Sequence, residues 1–327
     1  MPALPARLSI RSLVILASFV GVPISHADDY PSRPVHIVVP YAAGGGTDAM
    51  ARFIARGLEK KLGQPVIIDN RPGQGTAVGG THVARAAPDG YTLLMATSST
   101  LAMNPTIYPR LAYDPPRDFT PVALVAAVPF VLIVHPSLQV ATLDQLLRLA
   151  RAKPGALSYG SGGAGSAHHV FMELVRGMTG VDIKHVPYRG GGPALTDVVA
   201  GHVPMMFADV GQALELVRGG RVTALGVTTA RRVETMPEVP TLAEAGLAGY
   251  EASTWQCVVA PAHLPELIVT KLNRALTEFM VEPATSSHFL DLGMQPLTST
   301  PAELGEYIKS EMARWAVVLK AAGAVEE

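Results

Sequence analysis

Short apolar runs alternate along the chain with longer stretches in which apolar residues return every three or four positions, the pattern of strands alternating with amphipathic helices. Residues 35–39 (VHIVV) read as a strand, followed by a triple-glycine loop and, from Thr47-Asp48, a helix over residues 48–62. That helix places Met50, Phe53, Ile54, Leu58 and Leu62 on one face and Arg52, Arg56, Glu59 and Lys60 elsewhere, and Gly63 ends it. Strands at 66–68 and 91–96 and a helix near 76–86 complete two successive β-α-β units, with a polar loop at 97–100. Ligands on such sheets lie beyond the carboxyl ends of the strands, so the loops 42–47, 71–76 and 97–104 are expected on one rim.

Pro115 and Pro116 interrupt the pattern, and residues 119–134 carry two apolar runs divided at Val128-Pro129, a place for the chain to cross between domains. A second set of units follows. Its helix 143–152 is capped by Thr142 with Gln145 three residues on, and strands are expected at 157–159, 183–186, 205–207 and 224–227. Helices are expected at 166–179, with Phe171, Leu174, Val175 and Met178 facing the core, and at 193–200, where Pro193 takes a first helical position. Residues 229–250 are turn-rich with a capping box at Thr241 and Glu244, and 254–260 read as a strand returning to the first domain. Helices 265–281 and 301–321, the latter with a Thr300–Glu303 box, close the chain. The fold class is α/β with mostly parallel sheets, one domain inserted in the other.

Composition narrows the possibilities. The formal charge of −1 comes from 26 basic and 27 acidic residues, and removing Arg7 and Arg11 with a leader leaves 24 basic against 27 acidic, so no basic field exists for nucleic acid. Those arginines precede an apolar stretch at 13–22, and Ser25-His26-Ala27 has small residues where a signal peptidase reads, so residues 1–27 read as a signal peptide of an exported protein. The apolar stretch is well short of the roughly 20 residues of a membrane span. Cys257 is the only cysteine and lies in an apolar run, which suits a small buried hydrophobe.

Chemistry concentrates in three glycine loops, each running from a strand into a helix start: Gly44, Gly45 and Gly46; Gly160 to Gly165; and Gly190 to Gly192. Such loops leave backbone N–H groups free in front of the positive end of a helix dipole, a cradle for an anion. Gly44, Gly46 and Ala49 also fit a dinucleotide fingerprint with Asp69 as the ribose acid, but export and the two further cradles argue against a nucleotide cofactor. Ser161 and Ser166 with His168 or His169 do not fit a nucleophile elbow, and His82, His168 and His169 lack metal-ligand spacing. Asp48 reads first as an acid complementing its helix dipole; were it to reach the solute, it would favour an amine. Arg71 and Arg189 are candidate carboxylate clamps or solvated loop residues.

VPYAAGGGTDAMAR, DNRPGQGT, PDGYTLLMATSST with Asn104-Pro105, the glycine loop with His169 and Glu173, HVPYRGGGPALTDVVAGHV and VPTLAEAGLAGYEASTW with Ala260-Pro261 resemble the tripartite tricarboxylate transporter receptors, the Bug family of extracytoplasmic solute-binding proteins. The likeness runs from about residue 30 to 315. It implies a two-domain periplasmic binding protein-like (type II) fold with a ligand cleft between the domains: domain 1 from 28–127 and 252–327, domain 2 from 128–251. It also implies a binding protein rather than an enzyme, without cofactor or metal, monomeric, that passes a small carboxylated solute to a two-component membrane permease. The expected ligand-binding residues are Tyr41, Ala42, Gly44, Gly45, Gly46, Thr47, Asp48, Ser98, Ser99, Ser161, Gly162, Gly163, Ser166, His169, Arg189, Gly190 and Asp209. The stretch Met206 to Gly211 departs from the family's usual Phe-Asp-Asn, and Gln256-Cys257 from its aromatic-Gly, so ligand identity is the least transferable inheritance. A sensor subunit that delivers its liganded form to a receptor kinase would use the same fold, and an exported hydrolase would need a nucleophile touching a base.

Overall fold

In the computed structural model, which describes residues 30–321, the apolar runs become strands of two sheets. In chain order they are β1 Val35–Val39, β2 Val66–Asn70, β3 Thr92–Thr97, β4 Phe119–Val128, β5 Phe130–Val134, β6 Leu157–Ser161, β7 Ile183–Pro187, β8 Met205–Asp209, β9 Thr223–Val227, β10 Thr254–Pro261 and β11 Gln295–Pro296. The first sheet has the order β11-β4-β10-β3-β1-β2 and the second β7-β6-β8-β5-β9. Both belong to one compact unit. The leader expected over residues 1–27 lies outside the described residues.

β1 pairs in parallel with β2 and β3, and β6 in parallel with β7 and β8, as β-α-β units require. However, β10 runs antiparallel to β3 and β4, and β5 antiparallel to β8 and β9. The sheets are therefore mixed, not mostly parallel. The reason lies in the crossings: β4 ends in the first sheet, Pro129 breaks the ladder, and β5 starts in the second, while β10 brings the chain back. These two strands enter against the direction of the units around them.

The interiors follow from burial. Every residue of β5, β8 and β10 is buried, so these strands read as continuous rather than alternating apolar runs. In the second sheet Val131, Ile133, Met206 and Ala208 pack against Ala194, Val198, Ala213 and Leu214 of its covering helices, and each large aliphatic so buried contributes roughly 1.5–3 kcal/mol. The helix Gly46–Leu62 ends on Gly63 at φ 70°, the left-handed conformation glycine adopts without strain.

Several elements differ from expectation. The stretch after β3 is a wide helical turn, Ser99–Met103, running into Asn104–Ile107, rather than a polar loop. The helix expected from Pro193 starts earlier, as Gly191–Val199, so the glycine loop itself supplies the first turn. Met178 is 47% exposed; the buried face of the helix Ala167–Thr179 is instead Val170, Phe171, Met172 and Val175. The helix Val210–Arg218 was not expected, although Asp209 with Gln212 three residues on has the residue types of a helix start; in the structure Asp209 makes no side-chain cap hydrogen bond.

Candidate functional site

The carboxyl ends of β1, β3 and β8 meet the starts of three helices around one cavity. From the first sheet it is lined by Tyr41 after β1, by Gly45, Gly46 and Thr47 at the start of Gly46–Leu62, by Thr97 and Ser99 after β3, and by Thr254 and Gln256 of β10. From the second come Phe130 of β5, Ala167 and His168 in the first turn of Ala167–Thr179, Gly191 at the start of Gly191–Val199, and Asp209 at the end of β8. The N-cap residues of these three helices, Gly45, Ser166 and Gly190, make no side-chain cap hydrogen bond, so the cap residues themselves leave the first-turn N–H groups to other partners. The lining leaves a cavity of about 400 Å3.

Two titratable groups face each other here, 3.9 Å apart: His168 Nε2 and Asp209 Oδ2. Burial pushes the Asp209 carboxyl up to about 6 and the His168 imidazole down to about 4. Neither ring nitrogen of His168 has a hydrogen-bond partner, and the ring stands edge-on to Phe130 at 5.1 Å. It is wedged by glycines: a Cβ at Gly191 would come within 2.6 Å of Nε2, and one at Gly162 within 3.2 Å of Nδ1. With its amide oriented to satisfy both neighbours, Gln212 donates to Asp209 Oδ2 at 3.1 Å and accepts the Gly46 N–H at 2.7 Å, which ties the second sheet to the helix start of the first. Gln256 Nε2 donates to Thr47 Oγ1 at 3.2 Å, and Tyr41 Oη lies 3.5 Å from Thr97 Oγ1. Burial raises the Tyr41 phenol above its ordinary value, so it stays a neutral donor. Among the described residues no lysine or arginine lines the cavity.

Of the expected site residues, Tyr41, Gly45, Gly46, Thr47, Ser99 and Asp209 line it. The others do not. Asp48 is turned away and accepts from Gly44 N–H at 3.0 Å, Arg52 Nε at 3.0 Å and Asn70 Nδ2 at 2.9 Å, which fixes the loop rather than a solute. Ala42 N–H donates to the Arg189 carbonyl at 3.1 Å beside Gly190, a backbone tie between loops, while the Arg189 side chain is exposed. Arg71 is paired with Asp69 at 2.7 Å. Ser98 is buried behind the lining. The loop 160–166 lies behind His168 and bonds to itself: Gly163 N–H donates to Ser161 Oγ at 3.0 Å, and Ser166 Oγ donates to the Gly163 carbonyl at 2.7 Å. His169 faces the sheet, stacked on His185 at 4.3 Å with Nδ1 accepting from Gly165 N–H at 3.2 Å. One helical step therefore makes His168, not His169, the histidine of the cavity. Ser161 Oγ does touch a base, His185 Nε2 at 2.5 Å, but neither residue lines the cavity.

Thr97, Phe130, Ala167, His168, Gly191, Thr254 and Gln256 are not among the expected ligand-binding residues, although Thr97 and Gly191 belong to loops expected to form the site. For two others a signal existed. Thr254 and Gln256 are polar at alternate positions of an otherwise apolar strand, which puts both on one face.

The model for tripartite tricarboxylate transporter family receptors matches residues 50–324. The protein BugT of Bordetella pertussis is 37% identical over 318 residues, 97% of each chain. A solved R. palustris protein with adipate is 39% identical with a TM-score of 0.87, covering 90% of this chain and 99% of that one. MatC from Rhodopseudomonas palustris, with bound malate, is 35% identical with a TM-score of 0.86, covering 89% and 100%.

Proposed function

The chain belongs to the tripartite tricarboxylate transporter receptor family, and from that premise we propose that it captures a small carboxylated solute in the cavity between its two sheets and delivers it, in the periplasm, to a two-component membrane permease. The observation that carries this reading is the convergence of three helix starts, none capped by its own N-cap side chain, on one cavity. Their N–H groups favour an anion without any fixed cation.

Magnitudes explain why both sheets are needed. Micromolar affinity corresponds to about 8 kcal/mol. One helix terminus supplies roughly 0.3–1 kcal/mol and a charge-assisted hydrogen bond roughly 1.5–3 kcal/mol. Several contacts must therefore act together, and the Thr47, Thr97, Ser99 and Gln256 side chains stand beside the helix starts to add them. The adipate and malate bound by two relatives support a short, open-chain acid as the solute class. The reading of residues 1–27 as a leader supports the compartment. Binding without turnover is the expected behaviour, since among the described residues the serine–histidine contacts, Ser137 with His135 and Ser161 with His185, lie outside the cavity lining.

Thermal unfolding in the presence of a panel of mono-, di- and tricarboxylates tests the reading. At least one acid is expected to raise the midpoint by several degrees, with calorimetric titration giving one site per chain. A panel in which uncharged sugars stabilise the protein and no carboxylate does would overturn it.

A further inference from the structure

We propose that Asp209 is a specificity-determining acid of this cleft and that the preferred solute is a carboxylate bearing a protonated amine, with the amine seated on Asp209. This deepens the carboxylate-binding reading above and rests on it.

Asp209 occupies the N-cap position of the helix Val210–Arg218, where an aspartate ordinarily accepts the N–H groups of its own helix. It makes no such bond and lines the cavity instead. There it is 5% exposed, held by the Gln212 amide and pressed against the first helix of the other sheet, where a Cβ on Gly46 would lie 3.1 Å from its carboxyl carbon. The groups that face it are the Tyr41 phenol from the first sheet, the His168 imidazole from the helix Ala167–Thr179, and Gln212 from its own helix. None is a fixed cation, and burial keeps His168 neutral. A buried carboxylate with neutral neighbours calls for a cation or strong donor in the space before it.

A solute with carboxylates alone would instead place a second negative charge beside the first. An ammonium resolves that conflict: it neutralises Asp209 while the solute's carboxylate takes the helix N–H groups. His168 completes the arrangement. Both of its ring nitrogens are buried and without partners, so its N–H can donate to the solute carboxylate.

The test is calorimetric titration of the protein at neutral pH with matched pairs: aspartate against succinate, glutamate against glutarate, and γ-aminobutyrate against butyrate. The amine-bearing member of the best pair is expected to bind at least tenfold tighter. In Asp209→Asn its affinity should fall by about thirtyfold or more, as for loss of one partner of a buried charge pair, while its amine-free counterpart holds or gains. Equal or tighter binding of the amine-free acids by the wild-type protein overturns the inference and leaves the carboxylate reading standing. So does a preference that survives Asp209→Asn. Failure of every acid in both classes removes the carboxylate reading and the inference with it.

Discussion

Asp209 and His168 are displaced by burial in opposite directions, and the consequence is visible as stability against pH. The Asp209 carboxyl is raised from 3.8 to about 6, so between those values the native state retains a proton that the unfolded chain has lost, and stability falls as pH rises. His168 is lowered from 6.5 to about 4, so the unfolded chain binds a proton that the native state refuses, and stability falls as pH drops. In the wild-type protein the two oppose each other. Asp209→Asn removes one arm, so the variant should gain on the wild type by about 1.4 kcal/mol per pH unit as pH rises from about 4 to 6. The sign is the same if the shared proton sits on His168, because deleting Asp209 then removes the anion that holds it. Urea unfolding at three pH values across that window reads the difference, and parallel curves for the two proteins would show that Asp209 titrates normally. At this scale the sequence was legible only in part. Gly45, Gly46 and Thr47 follow from the local glycine-to-helix pattern, whereas the choice of His168 over His169 turns on where the helix begins, one residue after Ser166.

Elements with local signals were readable, and those fixed by distant partners were not. Thr142 and Gln145 announce the helix Leu143–Ala152 because the contacts they make are within four residues: Thr142 Oγ1 accepts the Gln145 N–H at 3.3 Å, and Gln145 Oε1 accepts the Ala141 N–H at 2.7 Å. Thr142→Ala should therefore cost about 1 kcal/mol of stability. The cap is remote from the cavity lining, so solute affinity should stay within about twofold. Denaturant midpoints and a titration together check this; a variant that loses affinity but not stability would mean that the cap acts on the site. The opposite case is the helix Val210–Arg218, where Asp209 and Gln212 have the residue types of a capping pair but Asp209 makes no cap hydrogen bond and lines the cavity. The direction of β10 was hidden, since it is set by pairing with β3 and β4 from far earlier in the chain. The inward residues of that strand, Thr254 and Gln256, were readable by alternation alone.

At the scale of the whole molecule, the passage of the chain from the first sheet to the second was visible in the break at Val128-Pro129, and its return in the strand at 254–260, but how the two walls meet was not. The walls touch at the cavity's rim: Tyr108 Oη donates to the Ala164 carbonyl at 2.6 Å, and the Ala42 N–H donates to the Arg189 carbonyl at 3.1 Å. With the walls joined by these bonds, entry of a solute is expected to require them to part and then return. Gly75 is the position at which that cycle can be stopped. It adopts φ 52°, and a Cβ there would overlap the Ala164 carbonyl oxygen and press on the Tyr108 hydroxyl at 2.9 Å. A backbone oxygen cannot swing aside as a side-chain tip does, so Gly75→Ala should hold the walls apart at a backbone cost of about 1 kcal/mol, too small to unfold the protein. Small-angle scattering should show the wild type contracting on addition of its solute while Gly75→Ala does not, with affinity reduced at least tenfold and the unfolding midpoint within a few degrees of the wild type. If Gly75→Ala binds and contracts like the wild type, the contact at Ala164 is incidental, and the walls must close by a route that leaves this part of the rim open.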